Sequence, residues 1–267
     1  VKIISWNING YRAITGQNTR QRLDNKEKSN VLFEFINSEN PDIICLQETK
    51  AEPTQISEDL LSPAGYNNYY SWSKKKKGYS GVVTFSKQNA NQNLNGFGIE
   101  DFDIEGRFIR TDFNDFILLN IYFPNGTSGD ERVDYKLNFY DELIDYCERL
   151  RANGTELIIC GDYNTAHKEI DLARPKENVN TSGFMPKERV KLDKMIELGY
   201  IDTFREFEKE GNKYTWWSNR GGARERNVGW RIDYFFITPN LKERLKNCYH
   251  LDMQLGSDHC PIVLELD

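Results

Sequence analysis

The chain has 267 residues, 28% charged and 38% hydrophobic, with 19 glycines, 8 prolines and a net charge of −6. No apolar run approaches the ~18 residues that a membrane-spanning helix requires, and the composition is neither collagen-like nor that of a disordered chain. One domain over 1–267 is expected, large enough to bury most of its surface without a disulfide or metal staple.

The first strand is read at Val1–Trp6 and runs into Asn7-Ile8-Asn9-Gly10. Thr15 to Asn30 is the most polar segment and reads as a loop or insertion. A short helix follows, with Val31, Leu32, Phe35 and Ile36 on one face. A strand over Asp42–Leu46 runs into Gln47-Glu48. Further strands are expected at Gly81–Ser86, Arg107–Phe113 and Phe116–Phe123, the last running into Pro124-Asn125-Gly126. Val133, Leu137, Tyr140, Ile144 and Cys147 step by four and three, which predicts a helix over about Asp130–Arg151. Ser128 and Glu131 form a capping-box pattern at its start, and Asn153-Gly154 ends it.

The strand at Glu156–Cys160 runs into Gly161-Asp162-Tyr163-Asn164. A helix is expected from Pro186 to Gly199 with Leu192, Met195 and Ile196 inward. Strands at Ile232–Thr238, which opens on Asp233, and at Pro261–Leu266, which follows Gly256-Ser257-Asp258-His259, complete the chain. Several strands are nearly continuous apolar runs, as expected when both faces are covered. Strands and helices mix along the whole length, which favours a layered α/β architecture.

The five cysteines, Cys45, Cys147, Cys160, Cys248 and Cys260, are an odd number, and no pair has C-x-x-C spacing. Cys45 and Cys160 end apolar runs, where an inert buried thiol belongs. A reducing compartment follows. With no secretion-signal pattern at Val1-Lys2-Ile3-Ile4, a cytoplasmic, prokaryote-like location is expected.

The acidic total hides two basic concentrations. Lys74–Lys77 carry +4, and the window 213–231 carries another +4, from Lys213, Arg220, Arg224, Arg226 and Arg231 against Glu225. Clustered cations, not the net charge, decide whether a polyanion binds. In the second window Trp216, Trp217 and Trp230 are interleaved with the arginines, which suits stacking and phosphate contact.

Six strand ends carry Asn, Asp, Glu or His, and in open α/β sheets ligands bind at strand ends. Glu48, Asp162, Asp233 and Asp258 would repel one another if they converged without a cation. A site rich in oxygen donors suits Mg²⁺ or Mn²⁺. His259 could orient or protonate a reacting group, while Asn125, Asn164 and Tyr122 could donate to phosphate oxygens. The set fits metal-assisted hydrolysis of a phosphodiester. Walker A, Rossmann and nucleophile-elbow patterns are all missing. His167 and His250 lie outside these junctions and are read as structural.

Together these blocks resemble the exonuclease III family of abasic-site (AP) endonucleases, within the wider endonuclease/exonuclease/phosphatase superfamily. The matching blocks are Ser5-Trp6-Asn7-Ile8-Asn9-Gly10, Leu46-Gln47-Glu48-Thr49-Lys50, Tyr122-Phe123-Pro124-Asn125, Gly161-Asp162-Tyr163-Asn164, Asn227-Val228-Gly229-Trp230-Arg231-Ile232-Asp233-Tyr234 and Ser257-Asp258-His259-Cys260-Pro261. Asp171-Leu172-Ala173-Arg174-Pro175 and Gly183-Phe184 are also similar. The resemblance covers essentially the whole chain in order.

It implies a deoxyribonuclease-like four-layer α/β sandwich, two packed mixed sheets with helices outside. It implies Mg²⁺-dependent cleavage of double-stranded DNA 5′ to abasic sites, with Mn²⁺ as a substitute, and leaves open whether 3′→5′ exonuclease activity or damaged-base incision accompanies it. By the same resemblance Glu48 is the principal metal ligand, with Asn7, Asn9 and Asp258 around the ion. Asp162, Asn164 and His259 could hold a second ion. Tyr122, Asp162, Asn164, Asp233 and His259 match catalytic positions. Asn125, Trp216, Arg220, Trp230 and Ile232 match substrate contacts.

Asn9 stands where some relatives have Asp, Arg220 where some have an apolar wedge, and Thr127-Ser128 where some have a basic residue. A monomer with no membrane partner is expected. A superfamily phosphatase acting on a small or lipid phosphoester is the alternative, and a non-catalytic nucleic-acid binder is disfavoured by the intact catalytic blocks.

Overall fold

The computed structural model describes residues 1–17 and 29–267. Residues 18–28, most of the polar stretch read as a loop, lie outside the described residues. The strands are β1 (Lys2–Asn7), β2 (Ile43–Gln47), β3 (Asn67–Ser71), β4 (Val82–Ser86), β5 (Gln92–Asn95), β6 (Phe108–Asp112), β7 (Ile117–Tyr122), β8 (Leu157–Asp162), β9 (Ile201–Asp202), β10 (Trp216–Trp217), β11 (Gly229–Trp230), β12 (Asp233–Ile237), β13 (Leu245–His250) and β14 (Ile262–Leu266). The helices are α1 (Tyr11–Ile14), α2 (Val31–Glu39), α3 (Glu100–Asp103), α4 (Asp130–Arg151), α5 (Pro175–Asn178), α6 (Pro186–Glu197) and α7 (Thr203–Phe207).

One six-stranded sheet has the order β13-β14-β1-β2-β4-β3 and the other β5-β6-β7-β8-β12-β9. Each is mixed: β1 pairs in parallel with β2, and β7 with β8, while the remaining pairings are antiparallel. Alternation of side chains along a strand sends successive residues to opposite faces. Ile3, Ile43 and Cys45 of the first sheet therefore meet Leu118, Ile158, Cys160 and Phe235 of the second in the layer between the sheets. Ile4, Trp6, Ile44 and Leu46 face the other way and pack with Leu32, Phe35 and Ile36 of α2. On the far side, Leu119, Ile121, Leu157, Ile159 and Phe236 pack with Phe139, Tyr140, Leu143 and Ile144 of α4 and with Leu192 and Met195 of α6. The result is the expected four-layer sandwich, helix–sheet–sheet–helix. All five cysteines are buried and unpaired. No helix among the described residues is long and apolar enough to cross a membrane.

Several local expectations are corrected. Helix α4 spans its expected residues, but Gly129 is its N-cap and no side chain caps it, so the Ser128–Glu131 box does not form. Leu137 is only half-buried, while Lys136 is fully buried. Helix α6 buries Leu192 and Met195 but leaves Ile196 41% exposed. Strands β3, β5 and β13 carry Asn, Gln, Lys or Ser between their apolar residues. β5 is an edge strand exposed at all four positions, and such strands give little hydrophobic periodicity to read.

Candidate active site

The layer between the sheets changes character along its length. Inward positions of β1 read Ile3, Ser5, Asn7; those of β2 read Ile43, Cys45, Gln47; those of β8 read Ile158, Cys160, Asp162. On β7, Leu118 is followed by Asn120 and Tyr122, and on β12 Phe235 is preceded by Asp233. An apolar interior thus becomes polar at one end. Buried polar groups are mostly paired, and here the side-chain N–H groups of Gln47 and Asn120 are, although Gln47 Oε1 has no partner among the described residues. Gln47 Nε2 donates to Ser5 Oγ (2.9 Å) and Asn120 Oδ1 (2.9 Å). Asn120 Nδ2 donates to Val83 O (2.9 Å). The two bonds of Asn120 join the sheets beneath the polar end, and with the Gln47–Ser5 bond they form its floor.

Strand register then aligns a row of candidate site residues. Tyr122 lies opposite Asp162, and Asp162 opposite Asp233. After β1, β2 and β8 the chain turns sharply: Asn9 (φ 49°), Glu48 (φ 56°) and Asn164 (φ 52°) adopt the left-handed conformation. That conformation is uncommon outside glycine and concentrates at functional sites.

The side chains converge. Asn7 Nδ2 donates to Glu48 Oε2 (3.0 Å) and Asp162 Oδ2 (2.9 Å). Asn9 Nδ2 donates to Asp258 Oδ1 (2.9 Å), and Lys50 Nζ lies 2.9 Å from Glu48 Oε1. The Asn164 backbone N–H donates to Asp162 Oδ1 (2.8 Å), and its amide to Phe123 O (2.9 Å). His259 Nδ1 is 2.9 Å from Asp233 Oδ2, its Nε2 is 3.8 Å from Asp162 Oδ2, and Thr215 Oγ1 donates to Asp233 Oδ2 (2.6 Å).

Burial and neighbouring charge tune these groups. Burial, with Asp233 beside it, pushes the Asp162 carboxyl up to about 7, against the opposing pull of His259. Burial alone would lower His259; the carboxylates of Asp233, Asp162 and Asp258 override it and hold the imidazole at about 10. Asp258 is also penalised by burial, but His259 and the N–H donors of Asn9 and Trp216 keep it below the usual carboxylate range. Burial and the Glu48 carboxylate push Tyr122 well above its ordinary value, so its hydroxyl stays a proton donor.

Beside this row stands an aromatic wall. Trp216 and Trp230 pair across the ribbon β10–β11 with ring centroids 6.3 Å apart at 84°. Both pack on Ile232, Leu172, Phe184 and Ala166, and Trp216 Nε1 donates to Asp258 Oδ2 (3.1 Å). Trp216, Trp230 and Ile232 are therefore brought together next to Asp258. Arg220 is exposed in the turn that follows β10, and Asn125 is half-buried just beyond β7.

Two basic residues of the 213–231 window are not available to a polyanion. Arg231 is buried, bonded to Asp171 and Asp202. Arg224 is tied to the carbonyls of Asp252, Gln254 and Ser257 and lies over Trp217. Alternating charged and aromatic residues do not reveal which arginines turn inward. His167 bonds Asp193 (2.8 Å) and His250 stacks on Phe204 (3.8 Å), so neither joins the site.

A sequence profile of the Endonuclease/Exonuclease/phosphatase family matches residues 4–259. The chain belongs to this family. It is 41% identical to an exodeoxyribonuclease of Bacillus subtilis, over 99% of this chain and 98% of that protein. It is 39% identical to a DNA-(apurinic or apyrimidinic site) endonuclease of Dictyostelium discoideum, over 100% of this chain and 71% of that one. Its fold matches the solved structure of an AP endonuclease from Archaeoglobus fulgidus with a TM-score of 0.86, 29% identity, and coverage of 100% and 99%. Within the family the chain is a hydrolytic nuclease of the exodeoxyribonuclease and AP endonuclease branch.

The family's chemistry can be set against the charge in the site. Among the described residues Glu48, Asp162, Asp233 and Asp258 face only Lys50 and protonated His259, and buried Asp233 Oδ1 has no hydrogen-bond partner. Ligand atoms of Asp162, Asp233 and His259 lie within 4.8 Å of one another. An excess of about one to two negative charges among oxygen donors, according to whether Asp162 holds its proton, fits a divalent cation. Since His259 Nδ1 and Asp233 Oδ2 already bond each other, those two atoms serve orientation better than ligation.

Sequence reading missed Lys50 as the counter-charge of Glu48, Thr215 as the second donor to Asp233, and Arg107. The Arg107 guanidinium lies 4.8 Å from the Tyr122 ring centroid, and its Nη1 donates to Tyr122 O (3.1 Å). Lys50 stands inside the block that carries Glu48 and could have been found there. Thr215 and Arg107 carry no signal beyond their neighbours.

Proposed function

We propose that the protein is a Mg²⁺-dependent DNA repair endonuclease that hydrolyses the phosphodiester 5′ to abasic sites in double-stranded DNA, acting as a monomer. The observation that carries this reading is the juxtaposition of an over-acidic catalytic row with an aromatic wall. Glu48 and Asp258, with Asn7 and Asn9 beside them, would hold the ion. Asp162, Asn164 and His259 are the candidates for a second one. Mn²⁺, which shares the preference for oxygen ligands, can take the place of Mg²⁺. When bound, the ion supplies charge neutralisation and Lewis-acid polarisation at the scissile phosphate.

The chain's own residues supply the rest. Tyr122 and Asn125 donate to non-bridging phosphate oxygens, as does the Asn164 amide once it exchanges its 3.3 Å bond to Asp162 Oδ2 for one to the phosphate. Asp162, with a pKa near 7, exchanges a proton at neutral pH. It accepts the proton of the attacking water; the P–O3′ bond breaks, and the leaving oxygen takes up a proton from solvent to become a 3′-hydroxyl. Asp233 fixes the His259 ring, which carries positive charge toward the reacting centre. An abasic site offers no base to read, so an extruded sugar is selected by a pocket that a full nucleotide cannot fill. Trp216, Trp230 and Ile232 form its wall, and Arg220 enters the duplex.

A duplex carrying one abasic analogue, incubated with Mg²⁺ and with EDTA beside a phosphoinositide, tests the reading. Incision 5′ to the lesion only with the metal is expected. Release of phosphate from the phosphoinositide with the duplex intact would instead support a phosphatase.

A further inference from the structure

Among the described residues, one ion pair has both side chains wholly inaccessible to solvent, and it lies outside the acidic row. Lys136 of α4 and Glu188 of α6 are both 0% exposed and 2.7 Å apart. Each is satisfied by groups that lead back to the site. Lys136 Nζ also donates to the backbone carbonyl of Asn164 (2.6 Å), the residue whose left-handed conformation aims its amide at Phe123 O and Asp162. Glu188 accepts from Ser182 Oγ (3.1 Å) and from the backbone N–H of Gly183 (2.6 Å) and Met185 (3.1 Å).

The turn so gripped is part of the pocket wall. Phe184 packs edge-on to Trp230, centroids 6.4 Å apart at 82°. Gly183 has φ +97°, and a Cβ there would stand 3.1 Å from Asn164 O and 3.2 Å from Trp230 Cζ3. Gly183, Asn164 and Trp230 therefore meet at one point, and Gly183 O accepts from Ala166 N–H (2.8 Å), closing the contact.

A buried ion pair is weak evidence of stabilisation, because desolvation of both ions offsets their attraction. Helix–helix packing between α4 and α6 would be served as well by two apolar side chains. The pair does something that an apolar pair cannot. A single ammonium and a single carboxylate fix two backbone segments in register, one carrying the catalytic amide and the other the lesion-pocket wall.

We infer that Lys136 and Glu188 are positioning residues for the nuclease reaction, holding Asn164 and the Ser182–Met185 turn in the mutual register that places the scissile phosphate against the catalytic row when the abasic sugar lies on the Trp230 wall. The inference rests on the reading of Asn164 as a phosphate contact.

The test replaces the pair with Lys136→Met plus Glu188→Met, since either change alone leaves a buried charge without its partner. The double variant leaves the Gly183 and Met185 N–H groups and the Asn164 carbonyl without these partners, so its melting temperature should fall while it stays folded at the assay temperature. Its kcat on the abasic-analogue duplex should fall about 10- to 100-fold, as for loss of groups that orient a catalytic shell, with KM little changed. In an Asn164→Ala background the same double change should have no further effect on kcat, because residues acting as a unit are not additive.

Parental kcat in the folded double variant overturns the inference and leaves the site reading standing. Losses that multiply with Asn164→Ala also overturn it, because the pair then acts by general softening. Parental kcat in Asn164→Ala alone overturns the reading of Asn164 and the inference with it. Should the paired methionines fail to fold, Lys136→Arg, which keeps the charge but moves the donor, gives the same decision: a kcat deficit absent from the Asn164→Ala background supports the inference, and parental kcat overturns it.

Discussion

Two buried charge clusters start two residues apart in the sequence, at Arg231 and at Asp233, and are built on opposite principles. The Arg231 cluster is neutral within itself, although buried Arg205 Nε has no hydrogen-bond partner among the described residues. Arg231 Nε bonds Asp171 Oδ1 (2.8 Å), its Nη1 and Nη2 bond both oxygens of Asp202 (3.0 and 2.7 Å), and Arg205 Nη2 adds a second cation on Asp171 (2.5 Å). Two cations meet two carboxylates in fork geometry, the arrangement that suits guanidinium. The Asp233 cluster has four carboxylates against Lys50 and His259, and a buried carboxylate oxygen without a partner. A cluster neutral within itself holds the fold. A cluster left acidic, at the end of the sheets where strands turn, holds something that arrives from outside.

The largest expected effect separates the two by activity. Asp162→Asn should lower kcat by roughly 10²–10⁴-fold, the range for loss of a general acid–base group, with duplex binding nearly kept. Wild-type rate in that variant would make Asp162 structural. Asp171→Asn should do the reverse. It leaves Arg231 buried beside one fewer charge, so stability should fall by about 3–5 kcal/mol, while kcat of the folded fraction is unchanged. Denaturant unfolding paired with active-site titration measures both, and a kcat loss without destabilisation would merge the clusters.

The pH dependence should also split by sign. Asp171 is penalised by burial, yet Arg231 and Arg205 hold it below the usual carboxylate range. Its contribution is present above the ordinary carboxylate pKa and is lost as pH falls below it. Asp162 is raised to about 7, so folding favours its protonated form, and stability is lost as pH rises from about 4 through 7. His259, raised to about 10, adds stability below its unfolded value near 6.5 that is lost as pH rises through 10. Without divalent ions, Asp162→Asn should raise the melting temperature relative to wild type at pH 8 and converge with it at pH 4. Asp171→Asn should be most damaging at pH 8. Parallel curves for both variants would contradict the assignment.

Smaller effects sharpen the outer site. Trp230→Ala should fold and relax discrimination between abasic and intact duplex by about 1–3 kcal/mol, the worth of one stacking platform. A large fall in stability with an unchanged rate ratio would make Trp230 a core residue. With Arg224 and Arg231 turned inward, exposed Lys74, Lys76, Arg220 and Arg226 remain without an ion pair among the described residues. Four phosphate contacts give a log–log salt slope of about −4. A slope near zero on duplex DNA would reject the local basic patches.

The row of site residues was legible because the signal lay in strand ends. Ile3-Ile4-Ser5-Trp6 before Asn7, and Ile158-Ile159-Cys160 before Asp162, mark both a buried strand and the polar residue that ends it. The partition of charge was not legible. Arg231 and Asp233 stand in one block, Trp230-Arg231-Ile232-Asp233, and only the break in the strand between β11 and β12, with the distant partners Asp171 and Asp202, sends Arg231 to its own cluster and Asp233 to the site. Lys136 was hidden for a related reason: on α4 the apolar stripe suggested Leu137 inward, and the buried carboxylate that draws Lys136 in comes from Glu188, 52 residues later. Edge strands such as Gln92–Asn95 left no apolar trace because nothing covers them.

The central claim, that the acidic cluster is a divalent-cation site serving phosphodiester hydrolysis, is tested most directly by incision of an abasic-analogue duplex across a Mg²⁺ titration, with wild type and Glu48→Ala side by side. The account predicts no incision in excess EDTA, recovery of wild type with added Mg²⁺, and no recovery of Glu48→Ala although that variant is folded. Full turnover of wild type in excess EDTA, or parental turnover by Glu48→Ala, would contradict it.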